Sequence, residues 1–388
     1  MTAESTTAPC EDRLPWAAMA GIIAAVTVGA LAQGVLYPLL SFILERQGTT
    51  PGLIGLSAAM TPLGFIVASA FTPALARHLG GARLAILCSI LTAQSIAAIA
   101  WAEDVWAWMP LRFLLGSFSK PPYVICETWL IAITPPSRRG RVMGLYSSIV
   151  SAGFAIGPLS LGLVGTQGWP PFMIGIAAFL VCGLIVFAIV PRLPVMAHED
   201  DAASVGGFFA LAPLLLFAVF AAAAFEQTLI SLFAVYGAAL GSGEGRIASL
   251  IACFIAGDAA LQIVLGRMAE RFGSAQIMLF CVVASLAGCL ALPVMFNSWL
   301  VWPLLFVWGG VSFGIYTMAL VQLGERFAGQ ALITGAAAFS LVWGIGGIVG
   351  SPATGLAMQL VGHQGLPLSL GLLCGVLAVF LMARRRRV

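Results

Sequence analysis

The sequence predicts an all-α integral membrane protein with twelve transmembrane helices in two six-helix, pseudo-symmetric halves. Three observations predict it. Hydrophobic residues make up 61% of the 388 and charged residues only 9%. A soluble chain of this length needs a charged surface, which these residues do not supply. The apolar residues fall in runs long enough to cross a hydrocarbon core of about 30 Å, which takes about 20 helical residues. Finally, the chain repeats itself at an offset of 193 positions: Ala76 falls on Ala269, Gly80 on Gly273, Trp106 on Trp299, Phe113 on Phe306, Gly116 on Gly309, Gly153 on Gly346, Gly157 on Gly350 and Gly162 on Gly355. A membrane unit duplicated in the same order is a recurrent transporter plan.

The spans follow from their flanks. In the first half they are 16–44, 51–76, 84–102, 108–133, 142–166 and 171–190. In the second they are 208–238, 247–268, 276–296, 299–322, 331–361 and 366–383. Charged, Gly-rich or Pro-rich stretches separate them, such as Glu45-Arg46, Arg77-His78, Glu103-Asp104, 137–141 and 241–246. The expected organisation is an N-terminal tail (1–15), a six-helix half (16–190), a polar linker (191–207), a second half (208–383) and a basic tail (384–388). The tail ahead of the first span is polar and acidic, and that span is too long for a cleavable signal peptide.

An even number of spans puts both ends on one side, and the arginines choose the side. Arg13, Arg77, Arg83, Arg138, Arg139, Arg141, Arg192, Arg267, Arg271, Arg326 and Arg384 to Arg387 make fourteen on the side of the termini. Only Arg46 and Arg246 lie opposite. By the positive-inside rule both termini are cytoplasmic, and the expected location is the inner membrane of a bacterial cell. Trp101, Trp106, Trp108, Trp169, Trp299 and Trp302 form an aromatic belt on the outer side.

The eight cysteines include no CxxC pair, and His78, His198 and His363 fall between spans, so neither a metal nor a cofactor is expected. A net charge of +3 gives no reason to expect a nucleic-acid partner. No nucleophile–base set or phosphate-binding loop is present, which argues against an enzyme and against nucleotide-driven pumping.

Five ionisable residues lie inside spans: Arg112, Lys120, Glu127, Glu226 and Asp258. Each costs about 2.5–3.5 kcal/mol at mid-membrane on an insertion scale, so each is a candidate for proton coupling or charge relay. Lys120 and Glu127 are separated by about 20° around span 4 and about 10 Å along it. Arg112 lies about 80° from Lys120. All three therefore share one broad face, which is expected to look toward a central path. Pro121 and Pro122 deprive the carbonyls of Ser117 and Phe118 of helical donors, so irregular backbone is expected there. Glu226 is followed by Gln227, and its repeat mate is Gln33. Asp258 has Gln262 one turn on. Two cations face three acids, leaving at least one acid without a cation to itself, as a proton carrier requires. Structural ion pairs with one permanently protonated acid are the alternative. Tyr123, Trp129, Phe225, Phe233, Tyr236, Phe339 and Trp343 are candidate walls of a substrate cavity, beside Gln33 and Gln227.

Span 5 carries Gly144, Gly153, Gly157-Pro158 and Leu161-Gly162, a smooth face where another helix can approach closely. This pattern is similar to the antiporter-associated motif of the major facilitator superfamily, with Leu161 in place of one terminal glycine. Arg112 with Gly116 resembles the superfamily's span-4 arginine motif, which is linked to proton coupling. Gly266, Ala269, Glu270, Arg271 and Gly273 resemble its signature cytoplasmic loop, a conformational latch. The first-half copy departs from that loop: Pro73 stands at the leading glycine and Arg77 at the acid, inverting the charge of Glu270. The stretch from Arg112 through Glu127-Thr128-Trp129-Leu130 to Arg138-Arg139-Gly140-Arg141 looks most like the YcaD-like bacterial branch. The resemblance covers nearly the whole chain. It implies a monomer whose halves rock about a midplane cavity and whose partners are the bilayer, a small-molecule substrate and protons. Proton-coupled export is the leading expectation, suggested by span 5. Proton-coupled uptake is the second, and a non-transporting sensor or assembly factor is the third.

Overall fold

The computed structural model describes residues 16–102, 104–135, 139–192, 208–328 and 330–385. The expected N-terminal tail, nearly all of the linker and the end of the basic tail lie outside the described residues. Among those described the fold is helical, with twelve long helices and one short one. The first half comprises α1 (Trp16–Arg46), α2 (Pro51–Leu79), α3 (Gly81–Trp101), α4 (Val105–Ile133), α5 (Arg139–Val164) and α6 (Pro170–Ile189). The short α7 (Phe208–Leu211) precedes α8 (Pro213–Ala239), α9 (Glu244–Phe272), α10 (Ser274–Met295), α11 (Val301–Arg326), α12 (Gln330–Val361) and α13 (Gly365–Arg385).

Two local expectations are corrected. The span expected over 208–238 is divided: Ala212 leaves the helical region at φ −139° and ψ 51°, and α8 starts afresh at Pro213. The ring of a proline crowds the residue before it out of the α conformation, so the break falls there. Span 4, by contrast, is not irregular. α4 is continuous through Pro110, Pro121 and Pro122. Prolines remove donors but keep a helical φ, and tight packing against α2 holds the helix together. Composition alone finds ten membrane-crossing segments, one of which (334–383) covers both α12 and α13. α4 is missing from that set because its three charges and three prolines depress its hydropathy.

The offset of 193 reappears as geometry. α2 crosses α4 where Gly64 meets the carbonyl of Phe113 and Gly116 meets that of Thr61. α9 crosses α11 where Gly257 meets the carbonyl of Phe306 and Gly309 meets that of Phe254. Each residue of the first crossing maps by the offset onto its counterpart in the second. A Cβ at any of the four glycines would run into backbone, which outweighs the 0.5–1 kcal/mol or so that glycine costs within a helix.

The bundle is sealed at one end. Residues 34–42 of α1 and 228–237 of α8 are buried on every side, whereas α1 before residue 29 is buried along only part of its circumference. At the sealed end α2 lies against α12, with Gly55 on the carbonyl of Ser351 and Gly355 on that of Pro51. There too, Arg46 at the end of α1 binds Glu244 at the start of α9, from the other half, at 2.8 Å. Toward the opposite end a cavity of about 920 Å³ lies along the first halves of α1 and α5 and reaches Trp16. Its walls are apolar, and the hydroxyl of Thr27 is already spent on the carbonyl of Ile23 at 2.7 Å. Its apolar lining offers little to orient a ligand.

Candidate functional site

Between the halves, beyond the apolar space, lies a second cavity of about 190 Å³ built by six helices. α1 supplies Gln33, α4 Tyr123, and α5 Ser151 and Phe154. α8 supplies Glu226, α9 Phe254 and Asp258, and α11 Ser312 and Phe313. Gln33 and Glu226, mates in the repeat, thus meet in one space. Asp258 and Phe313 also have telling mates, Phe65 and Lys120, in the other half.

The two acids are held differently. Asp258 Oδ1 accepts from Gln262 Nε2 at 2.7 Å, and the Thr317 hydroxyl donates to Gln262 Oε1 at 2.8 Å. This chain of side chains fixes the carboxylate. Glu226 has a buried Oε2 without a hydrogen-bond partner, and the buried hydroxyl of Tyr123 has none either. Buried polar groups are normally satisfied, so these two unpartnered atoms, on residues that line one cavity, are a departure from the rule. No cationic side chain is among the residues that line it.

The three charges of α4 do not form one cluster. Arg112 is fully buried and donates from Nη1 to Ser57 Oγ of α2 at 3.2 Å, while its Nε is unpartnered. Arg112 borders a void of about 10 Å³, room for no more than a water, together with Gln33, Tyr37, Thr61 and Ser119. Tyr37, which sequence reasoning missed, lies within electrostatic reach of both Arg112 and Glu226. Lys120 Nζ sits 5.8 Å from the centre of the Phe65 ring. It makes no ion pair with Glu127, one full face-length along the helix, and feels it only at longer range.

The proposed walls divide. Gln33 and Tyr123 line the cavity. Trp129 is buried in the first-half core with Cys126, Leu130 and Tyr146, and Phe339 is buried in the second-half core. Phe225 packs edge-on against Trp308, with centroids 5.2 Å apart. Phe233 and Tyr236 pack on Phe296. None of these five reaches the cavity. Trp343 belongs to an aromatic group with Tyr316 at 4.5 Å and Phe313 at 5.8 Å, and so backs the wall through Phe313. Gln227 packs beside Gly347 of α12. Phe154, Phe254 and Phe313 were missed. Only Phe313 carried a signal, as the repeat mate of Lys120.

The span-5 glycines also divide. Gly157 lies on the backbone of Gly34 and Val35, and Gly153 lies on Thr27, so these two seat α5 on α1 beside the cavity. Gly144 and Gly162 face open space. α5 passes through Pro158 unbroken. At the α9–α10 turn Gly273 takes φ +89°, as its mate Gly80 takes +83°. Glu270 is exposed, Arg271 lies over the Phe272 ring at 5.4 Å, and Gly266 has open space around it.

Comparison with known proteins decides the family. The profile of the major facilitator superfamily matches residues 22–214 and again residues 215–388. The chain belongs to the major facilitator superfamily. Like other members it is a multi-pass membrane transporter, and its similar curated proteins are bacterial. The MFS-type transporter YfkF of Bacillus subtilis (strain 168), itself uncharacterized, is 25% identical over 349 residues, covering 87% of this chain and 88% of the relative. An uncharacterized MFS-type transporter of Yersinia enterocolitica is 23% identical over 361 residues, covering 91% of each. Among solved structures, the nucleoside transporter NupG superposes with a TM-score of 0.78 at 14% identity, over 94% of this chain and 98% of that one. A bacterial homolog of the human lysosomal transporter Spinster, inward-facing and unoccupied, superposes with a TM-score of 0.73 at 14% identity, over 95% of each. These structural likenesses bear on the superfamily fold alone.

Proposed function

We propose that this transporter is a proton-coupled antiporter that exports a small molecule across the bacterial inner membrane, acting as a monomer with both termini in the cytoplasm. The observation that carries this reading is the pairing of Glu226 and Asp258 in one cavity between the halves, with no cation among its lining residues. Two carboxylates away from bulk water need a compensating positive charge, which a proton or a ligand can bring in alternation. The other titratable or charged groups within reach of the pair are Tyr37, Tyr123 and Tyr316, with Arg112 beyond Tyr37. The arginine bias puts the sealed end outside, so the cavity loads from the cytoplasm. The rocking of the halves then carries it outward. Within the superfamily, the span-4 stretch and the paired glycines of span 5 favour the YcaD-like branch and antiport.

The test is growth of an efflux-deficient bacterium expressing the chain across a broad panel of toxic compounds, beside Glu226→Gln and Asp258→Asn. We expect resistance to some compounds, lost in both variants at unchanged membrane levels. Resistance that survives in both variants removes the acids from coupling. Increased sensitivity instead of resistance reverses the direction to uptake.

A further inference from the structure

We propose that the ligand taken by the central cavity is a small organic cation, an amine carried on a single ring or an apolar body of that size. The inference rests on the transporter reading and adds to it the chemistry of the cargo.

Charge comes first. The second half brings Glu226 and Asp258 to the cavity, while the first half keeps its cations away. Arg112 is committed to Ser57 across the α2–α4 crossing, and Lys120 to the face of Phe65. An anionic ligand would meet two carboxylates with only neutral donors, the Gln33 amide and the hydroxyls of Tyr123, Ser151 and Ser312, to offset them. A zwitterion could place its amine, but its carboxylate would have to reach Arg112, behind a void of about 10 Å³ that admits no such group.

The walls agree. Tyr123, Phe154, Phe254 and Phe313 present aromatic rings around the two acids. Rings attract a desolvated cation through their quadrupole and cover an apolar body at the same time. The carboxylates of Glu226 and Asp258 supply the acceptors that an ammonium N–H needs. Size sets the last limit. A cavity of about 150 Å³ is known to hold benzene, so the roughly 190 Å³ here accommodates one ring with a short arm. Multi-ring cations are too large for this state of the cavity.

The experiment is equilibrium calorimetry on the purified protein in lipid nanodiscs at neutral pH, with three probes on one frame: 2-phenylethylamine, 2-phenylethanol and phenylacetate. The amine should bind about tenfold more tightly than the alcohol, and phenylacetate more weakly than either. In Glu226→Gln/Asp258→Asn the amine should fall to the level of the alcohol, while alcohol binding is retained. Phenylacetate binding as tightly as the amine, an amine preference that survives the double variant, or no binding by any probe would each overturn the proposal. The comparison among probes on the unaltered protein does not depend on how the variant folds. No gradient is present, so failure here leaves proton coupling standing. Failure of the acid variants to alter resistance, with the amine preference intact, removes only the coupling.

Discussion

Arg46 and Glu244 fasten the two halves of the bundle together at its sealed end. One guanidinium nitrogen of Arg46 lies 2.8 and 3.1 Å from the two oxygens of Glu244, and it also donates to Thr166 Oγ1 at 2.7 Å. The other nitrogen holds the Thr166 carbonyl at 2.7 Å, and the Thr166 hydroxyl donates to Glu244. Three helix ends, those of α1, α5 and α9, are tied by this knot. In sequence Arg46 reads only as part of a break between spans. The structure gives it a partner in the other half.

Arg46→Ala should therefore loosen the seal. The pair is about one-third exposed, so its contribution is about 0.2–1 kcal/mol, enough to shift a two-state balance up to about fivefold. The measurement is thiol-reagent access to Ser151→Cys from the outer face of right-side-out vesicles, in a background without native cysteines. Access should rise in Arg46→Ala and in Glu244→Ala, and fall back in the exchanged pair Arg46→Glu/Glu244→Arg. No rise in either single variant would mean that the packing of α2 on α12 seals the end unaided.

Arg112 and Ser57 form a buried partnership whose repeat mates are Leu305 and Leu250, both wholly buried. Ser57→Leu alone should destabilise by about 3–5 kcal/mol, since it strands a buried guanidinium. Ser57→Leu/Arg112→Leu should recover most of that loss, because the other half folds with leucines at both places, yet proton-linked flux should disappear. Thermal unfolding in detergent and flux in proteoliposomes separate the two effects. Full flux in the double variant would make Arg112 a structural residue.

The glycines of α4 and α11 should differ sharply from those of α5 when given a methyl group. Gly116→Ala and Gly309→Ala press a Cβ into the backbone of Thr61 and Phe254 and should cost about 1–3 kcal/mol. Gly144→Ala and Gly162→Ala meet open space and should be neutral or stabilising by up to about 1 kcal/mol. Detergent melting curves of the four variants check the order.

Lys120→Met keeps the length of the side chain and its packing on Phe65 but removes the charge. Melting should be little changed and transport reduced several-fold. Unchanged transport would confine Lys120 to packing.

The helices were legible because twelve apolar runs repeat at a fixed offset, and a repeat needs no knowledge of which face a residue presents. Gln33, Glu226 and Asp258 were legible for a related reason: a polar group in an apolar run has few acceptable surroundings, and a cavity is one of them. The aromatic walls were not. Phe225 precedes Glu226 by one residue, a turn of about 100°, and that rotation carries it from the cavity onto Trp308. Trp129 follows Glu127 by about 200° and goes into the first-half core. Bulk and aromaticity say nothing of rotation in a helix that is apolar all round. The break at Ala212 was legible in Pro213, but the continuous apolar composition around it hid it.

Two copies of one crossing, built from the same glycines against the same carbonyls, also make the molecule its own reference. Where the mates agree, as at Gly116 and Gly309, the residue answers to the architecture that both copies must satisfy. Where they differ in charge, as at Phe65 and Asp258 or Lys120 and Phe313, the architecture has been met both ways, and the difference is left for function to explain. Half-swapped chimeras, in which one copy is rewritten position by position toward the other, would thus sort scaffold from cargo handling without a single homologue.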